Sequence, residues 1–180
     1  MNLADAIQIF ATLFAAVAAV ASWRSIFAAR RLKIDDELLA HATVTLERAY
    51  EALIGTHDEG VIPDSNRLNW LTAARLIEDY VATKKEMKTP EIIRRCNGHE
   101  EFWRNKFYQR LEPVSMSMGY YRRTQTDFVY PISAVIVHGF ATWPKEKIDP
   151  LDKYRDVDAA IEVYGLSRKW ISLRQYLERL

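Results

Sequence analysis

Cys96 and His99 stand at Cys-x-x-His spacing, which could supply half of a tetrahedral zinc site. Cys96 is the only cysteine, and His41, His57 and His138 show no paired spacing, so the second half is missing and the pair reads as chance. Glu37 and His41 lie one helical turn apart, and Glu100-Glu101 follow His99. A di-metal carboxylate bundle needs Glu-x-x-His from each of two helices, and the chain has none, so a solvated helix face accounts for these residues. Ser133 lacks the strand–turn–helix elbow that exposes a nucleophilic serine, and Cys96 has no sequence neighbour that would depress its pKa. No Walker A loop and no GxGxxG is present to cradle phosphates. The expectation is therefore no catalytic, cofactor-binding or metal-binding residue, and a chain that is more readily a binding protein than an enzyme.

Binding chemistry has more to work with. Trp103, Phe107 and Arg110 recur at helical spacing beside Arg104, and Tyr120-Tyr121-Arg122-Arg123 follows. Aromatic faces stack on bases and arginines contact phosphates, so Trp103, Arg104, Phe107, Arg110, Tyr121, Arg122 and Arg123 are the candidate binding surface. The same pattern belongs to an ordinary amphipathic core helix, and that reading is preferred. Nucleic acid is admitted as a partner but not favoured, because 25 Lys+Arg against 24 Asp+Glu leave a net charge of only +1.

The element that must position these residues begins near the N-terminus. Residues 6–23, AIQIFATLFAAVAAVASW, contain no formal charge, with Asp5 before them and Arg24, Arg30, Arg31 and Lys33 after. A helix satisfies its own backbone where no water is present, so the run reads as a membrane-spanning helix of roughly 27 Å. Snorkelling of Arg24 would extend the span through Ala29 and make up the shortfall in length. A cleaved signal peptide would need a basic leading region, whereas Asp5 is the only charged side chain ahead of the run. The basic residues behind it predict an N-terminus outside and a body in the cytoplasm, with Arg24, Arg30, Arg31 and Lys33 as a collar for anionic headgroups. Ala11, Ala15, Ala18 and Ser22 share one face with Gln8 and Thr12 nearby, a small-residue stripe suited to helix packing. The alternative is a buried or interfacial helix.

Neither Gly nor Pro occurs before Gly55, so one helix can run from the membrane into the body. Leu39, Ala42, Leu46, Ala49 and Leu53 form a stripe along it, either a core face or a coiled-coil seam, the core being the commoner use. A loop at residues 55–65 leads to a second, antiparallel helix over 66–87 with Trp70, Ala73, Ala74, Ile77, Tyr80 and Val81 on one side. Thr89-Pro90 opens a short third helix stopped by Asn97-Gly98, and a fourth covers 100–111. Residues 113–130 read as a loop. Residues 132–143 are apolar between Pro131 and Pro144 and admit a buried helix or a short β element, the helix being easier to accommodate. Asp149-Pro150 starts a helix that carries Tyr154, Val157, Ala160, Ile161 and Tyr164 to a stop at Gly165, and Ser167 caps the last one.

The expected architecture is all-α: residues 1–29 a transmembrane anchor, residues 30–180 a cytoplasmic multi-helix domain. The expected function is a membrane-anchored interaction protein of the bacterial inner-membrane type, an oligomerising effector or regulator working with a second copy or a partner protein. The alternative is a soluble helical module that binds nucleic acid or a ligand and uses its apolar N-terminal helix as a buried interface.

Overall fold

A computed structural model describes residues 3–55, 62–113, 119–122, 128–144, 147–166 and 169–179, with side chains described at Phe14 and from residue 18 onward. The described chain is all-helical, and its only β pairing is an isolated antiparallel bridge between Arg122 and Phe128. It divides into two compact units, Met1–Thr142 and Trp143–Leu180.

Helix α1, Leu3–Ile54, runs unbroken for 52 residues, about 78 Å, and ends where Gly55 adopts a φ of 69° that side chains disfavour. Its two halves have different surroundings. From Ala18 to Arg30 every residue is exposed, whereas Leu39, Ala42, Leu46, Ala49 and Leu53 are buried. The second stripe is therefore the core face of the body. Among the described residues no helix is long and apolar enough to cross a membrane. Most side chains of the 6–23 run, including Gln8, Ala11, Thr12 and Ala15, lie outside the described residues, so the transmembrane expectation continues to rest on the sequence.

Helix α2, Arg67–Glu86, starts at Asn66, whose side chain accepts from the backbone N–H of Leu68 and Asn69 at 2.9 and 3.2 Å. Arg31 meets Glu86 and His41 meets Asp79, so α2 runs antiparallel to α1, as the pattern predicts. Trp70, Ala73, Ala74, Ile77 and Tyr80 complete the core from this side, the large apolar ones contributing about 1.5–3 kcal/mol each by burial.

Helix α3, Pro90–Leu111, corrects the expectation of two short helices. Asn97-Gly98 does not stop it. Ile92, Cys96, Glu100, Phe107 and Leu111 continue one buried face past the glycine, while a Cβ added to Gly98 would meet nothing within 4 Å. A glycine inside a helix costs about 1 kcal/mol, less than burial of the stripe on either side returns. Asp35 with Thr89, Asp36 with Arg95 and Tyr50 with Arg110 set α3 parallel to α1.

Helix α4, Pro131–Ala141, resolves the apolar run as helix, begun by Pro131 and packed through Ser133, Val137, Phe140 and Ala141. Before it, residues 119–122 form a turn and Val129 N–H donates to the Tyr121 carbonyl at 3.0 Å. The rest of the expected loop, 114–118 and 123–127, lies outside the described residues.

In the second unit the expected single helix from Asp149 is two elements, a 3-10 turn Pro150–Lys153 and α5, Val157–Tyr164. Asp149 and Asp156 each turn their carboxylate onto backbone N–H groups, of Leu151 at 2.8 Å and of Ala159 at 2.9 Å, and the second cap restarts the helix. Gly165 stops α5 at a φ of 69°, as expected. Helix α6, Ile171–Leu177, follows with Trp170 at its N-cap; Ser167, the expected cap, lies outside the described residues. No described residue of this unit is buried.

Candidate functional site

Where the C-terminal end of α1 passes the C-terminal half of α3, the sequence sets Tyr50, Glu51 and Ile54 against Phe102, Trp103, Lys106 and Arg110. These residues and Gly55 line an open cavity of about 410 Å³. Its wall is aromatic: Tyr50 lies 5.4 Å from Trp103 and 5.4 Å edge-on from Phe107, and Phe102 meets Trp103 at 5.3 Å. Its rim is cationic. Arg110 Nε donates to the Tyr50 hydroxyl at 3.0 Å, which fixes the guanidinium at the mouth, and Lys106 Nζ lies 5.7 Å from the Phe102 ring centre. A groove with aromatic walls and two cations suits a planar or anionic group, with Glu51 as the opposing charge.

The candidate surface residues thus separate. Trp103 and Arg110 line the groove, joined by Tyr50, Phe102 and Lys106, which spacing alone did not single out. Phe107 is fully buried behind it, against Tyr50 and Phe140, and is a core residue. Arg104 is turned inward. Its Nε donates to Glu100 at 2.9 Å, its Nη1 to the carbonyls of Phe140 and of Thr142, the latter at 3.0 Å, and its guanidinium lies 4.7 Å from the Phe140 ring centre. It therefore closes the C-terminal end of α4, where helix carbonyls lack intrahelical partners. Tyr121 and Arg122 do not join this group: the Tyr121 hydroxyl bonds His138 Nε2 at 2.7 Å, and its ring meets Trp70 edge-on at 5.9 Å. Burial pushes the His138 imidazole below and the Tyr121 phenol above their ordinary values. Arg122 is exposed, and Arg123 lies outside the described residues.

Beside Arg104, α2 and α3 enclose a polar cluster that no motif announced. The Glu100 carboxylate accepts from Lys84 Nζ at 2.5 Å and from the Tyr80 hydroxyl at 2.6 Å, and Cys96 Sγ lies 3.5 Å from that hydroxyl. Burial by itself would raise Glu100, but the hydrogen bonds from Lys84 and Tyr80 and the charges of Lys84 and Arg104 outweigh it and lower the carboxyl to about 2. The Cys96 thiol is pushed up by burial, which makes it a poor thiolate. Tyr80, Lys84 and Arg104 all donate to the Glu100 carboxylate, and the cluster reads as an internal tie between α2 and α3. His99, three residues from Cys96, is exposed, and among the described residues no group of three or more His, Cys, Asp or Glu could hold a metal ion.

The basic collar also divides. Arg24, Arg30 and Lys33 are exposed, whereas Arg31 Nη2 donates to the Glu86 carbonyl at 2.8 Å at the end of α2. Of the small-residue stripe, Ala18 and Ser22 are exposed, and the rest lie among the side chains outside the described residues.

No family model, curated protein or solved structure matches this chain.

Proposed function

We propose that this chain is a membrane-anchored helical interaction protein, an oligomerising effector or regulator. Residues 1–29 form the anchor with the N-terminus outside, and the body lies on the cytoplasmic face of the inner membrane. The observation that carries the reading is the N-terminal half of α1. Phe14, Val20, Trp23, Ile26 and Phe27 are 78, 56, 66, 52 and 51% exposed, on a stretch of helix where every described side chain up to Arg30 is exposed. Large apolar side chains left uncovered on a helix are unfavourable in water, and lipid or neighbouring helices would cover them. The uncharged run 6–23, ahead of Arg24 and Arg30, supports lipid as the main cover. The unbroken helix supports coupling between anchor packing and the body, since a rigid rod transmits rotation and tilt.

The test is fractionation of the expressed protein with a carbonate wash of the membranes. Retention in the washed pellet and release by detergent is the expected result; recovery in the soluble fraction would overturn the reading.

A second reading, a soluble module that binds a ligand or single-stranded nucleic acid, is favoured by the groove of Tyr50, Phe102, Trp103, Lys106 and Arg110. It predicts a detergent-free soluble protein whose binding weakens when Lys106 and Arg110 are neutralised.

A further inference from the structure

Residues 165–180 carry four basic side chains, Arg168, Lys169, Arg174 and Arg179, against one acidic, Glu178, a net charge of +3 in a chain whose total is +1. Along α6 and its cap, Trp170, Leu173, Tyr176 and Leu177 recur at three- and four-residue spacing and fall on one face, about 120° wide at ~100° per residue. Arg174 flanks that face beside Trp170, and Glu178, Gln175 and Arg179 fall outside it, together with Ile171. The apolar face is uncovered within its own unit: Trp170, Leu173 and Tyr176 are 64, 45 and 59% exposed. Nor does the unit supply a core that could absorb it, since no described residue of Trp143–Leu180 is buried.

We propose that helix α6, with the residues that flank it over 169–179, docks on anionic lipid headgroups, on the same membrane face as the basic collar. The inference rests on the membrane-anchor reading given above. Two features favour a lipid surface over a second copy of this chain. Trp and Tyr on the apolar face have the amphipathic rings that partition to the headgroup level. The flanking cations match the negative potential of a cytoplasmic leaflet, whereas two copies meeting through this face would bring their positive charges together. A lipid surface would hold the second unit at the membrane through many weak contacts, giving a reversible attachment beside the permanent one.

The experiment uses the full chain with Leu173→Cys, labelled with an environment-sensitive fluorophore while the buried Cys96 is left in place. The protein is reconstituted in phosphatidylcholine vesicles with and without phosphatidylglycerol. A carbonate wash of each preparation reads the anchor, and the emission at position 173 reads the tail, so failure of one is not mistaken for failure of the other. The expected result is carbonate-resistant protein in both lipids, with blue-shifted, enhanced emission only where phosphatidylglycerol is present. Combining Lys169→Glu, Arg174→Glu and Arg179→Glu should weaken that signal by ~10-fold or more, and raised salt should weaken it further. Carbonate-resistant protein with an aqueous emission in both lipids overturns the proposal and leaves the anchor standing. Equal enhancement in neutral lipid, or in detergent with rising protein concentration, shows that acyl chains or a second copy cover the face and overturns it as well.

Discussion

Arg31 and Asp35 stand one turn apart on α1, 3.4 Å from each other, and between them they hold both sides of the α2–α3 junction. Arg31 donates to the Glu86 carbonyl at the end of α2, while Asp35 Oδ2 accepts from the backbone N–H of Thr89 at 2.6 Å and of Lys88 at 3.0 Å, at the start of α3. Thr89 occupies the N-cap position of α3 without a side-chain cap bond of its own, so the acceptor comes from another helix. Cation at a C-terminus and anion at an N-terminus is also the arrangement that helix dipoles favour. The clamp sits where the exposed half of α1 meets the body.

Asp35→Ala should therefore be costly. It strands two backbone donors and the Arg31 charge at a site where the carboxylate is fully buried, and the expected loss is about 2–4 kcal/mol. Asp35→Asn, which keeps one acceptor oxygen, should lose less. Burial opposes the carboxylate here, but the Thr89 and Lys88 hydrogen bonds and the Arg31 charge more than compensate and leave its pKa below 3.8. Urea unfolding in detergent, followed by circular dichroism, measures both variants; equal midpoints for Asp35→Ala and the parent would remove the clamp.

Glu100 gives the fold an acid limit. Its carboxyl titrates near 2 in the folded chain against 4.5 for the free side chain, so the unfolded state binds the proton first as pH falls. The stability it contributes is complete above about pH 4.5 and is lost as pH falls from there toward 2. Unfolding midpoints measured across that window should fall for the parent and change less for Glu100→Gln, which is itself destabilised at neutral pH because Lys84 and Arg104 lose their counter-charge. A parallel fall in both proteins would assign the acid sensitivity to other groups.

Phe107 and Lys106 are neighbours with opposite roles. Phe107→Ala should cost about 3–5 kcal/mol, since the ring is fully buried between Tyr50 and Phe140. Lys106→Glu, at the rim of the groove, should stay within about 0.5 kcal/mol of the parent. Its effect belongs in binding assays with single-stranded oligonucleotides or small anions. A stability loss at Lys106 comparable to that at Phe107 would contradict the division between core and rim.

Gly98→Ala should stabilise the protein by about 0.5–1 kcal/mol. The position is helical, the added methyl meets nothing within 4 Å, and alanine reduces the freedom of the unfolded chain. Thermal unfolding measures it, and a lower midpoint would mean that the backbone bends at this point.

On the proposed anchor, Ala15→Leu with Ala18→Leu should fill the small-residue face and reduce the proposed assembly without reducing insertion, because leucine is at least as apolar. Cross-linking or light scattering in detergent gives the oligomer size. An unchanged size, with carbonate resistance retained, would show that the stripe does not mediate assembly.

The sequence by itself determined the elements whose signal is local. Absence of Gly and Pro before Gly55 predicts the long α1, the apolar period over 66–87 predicts α2, and the Leu39–Leu53 and Trp70–Tyr80 spacings predict their buried faces. Each is read within a few turns of chain, where periodicity and capping act. Only tertiary structure decided where a local signal met a distant partner. Asn97-Gly98 reads as a stop until the buried residues on both sides are seen to pack on one core, and the energy of that packing exceeds the glycine penalty. Asp35 looks like any surface carboxylate of a charged helix until the fold brings Thr89, fifty-four positions on, within 2.6 Å. Arg104 and Phe107 resemble a binding stripe until α4 covers them, and Tyr50 joins Trp103 and Arg110 only because α1 and α3 lie parallel. Spacing fixes the face of a helix on which a side chain stands, but not what that face meets, because the meeting is set by the sum of many long-range contacts.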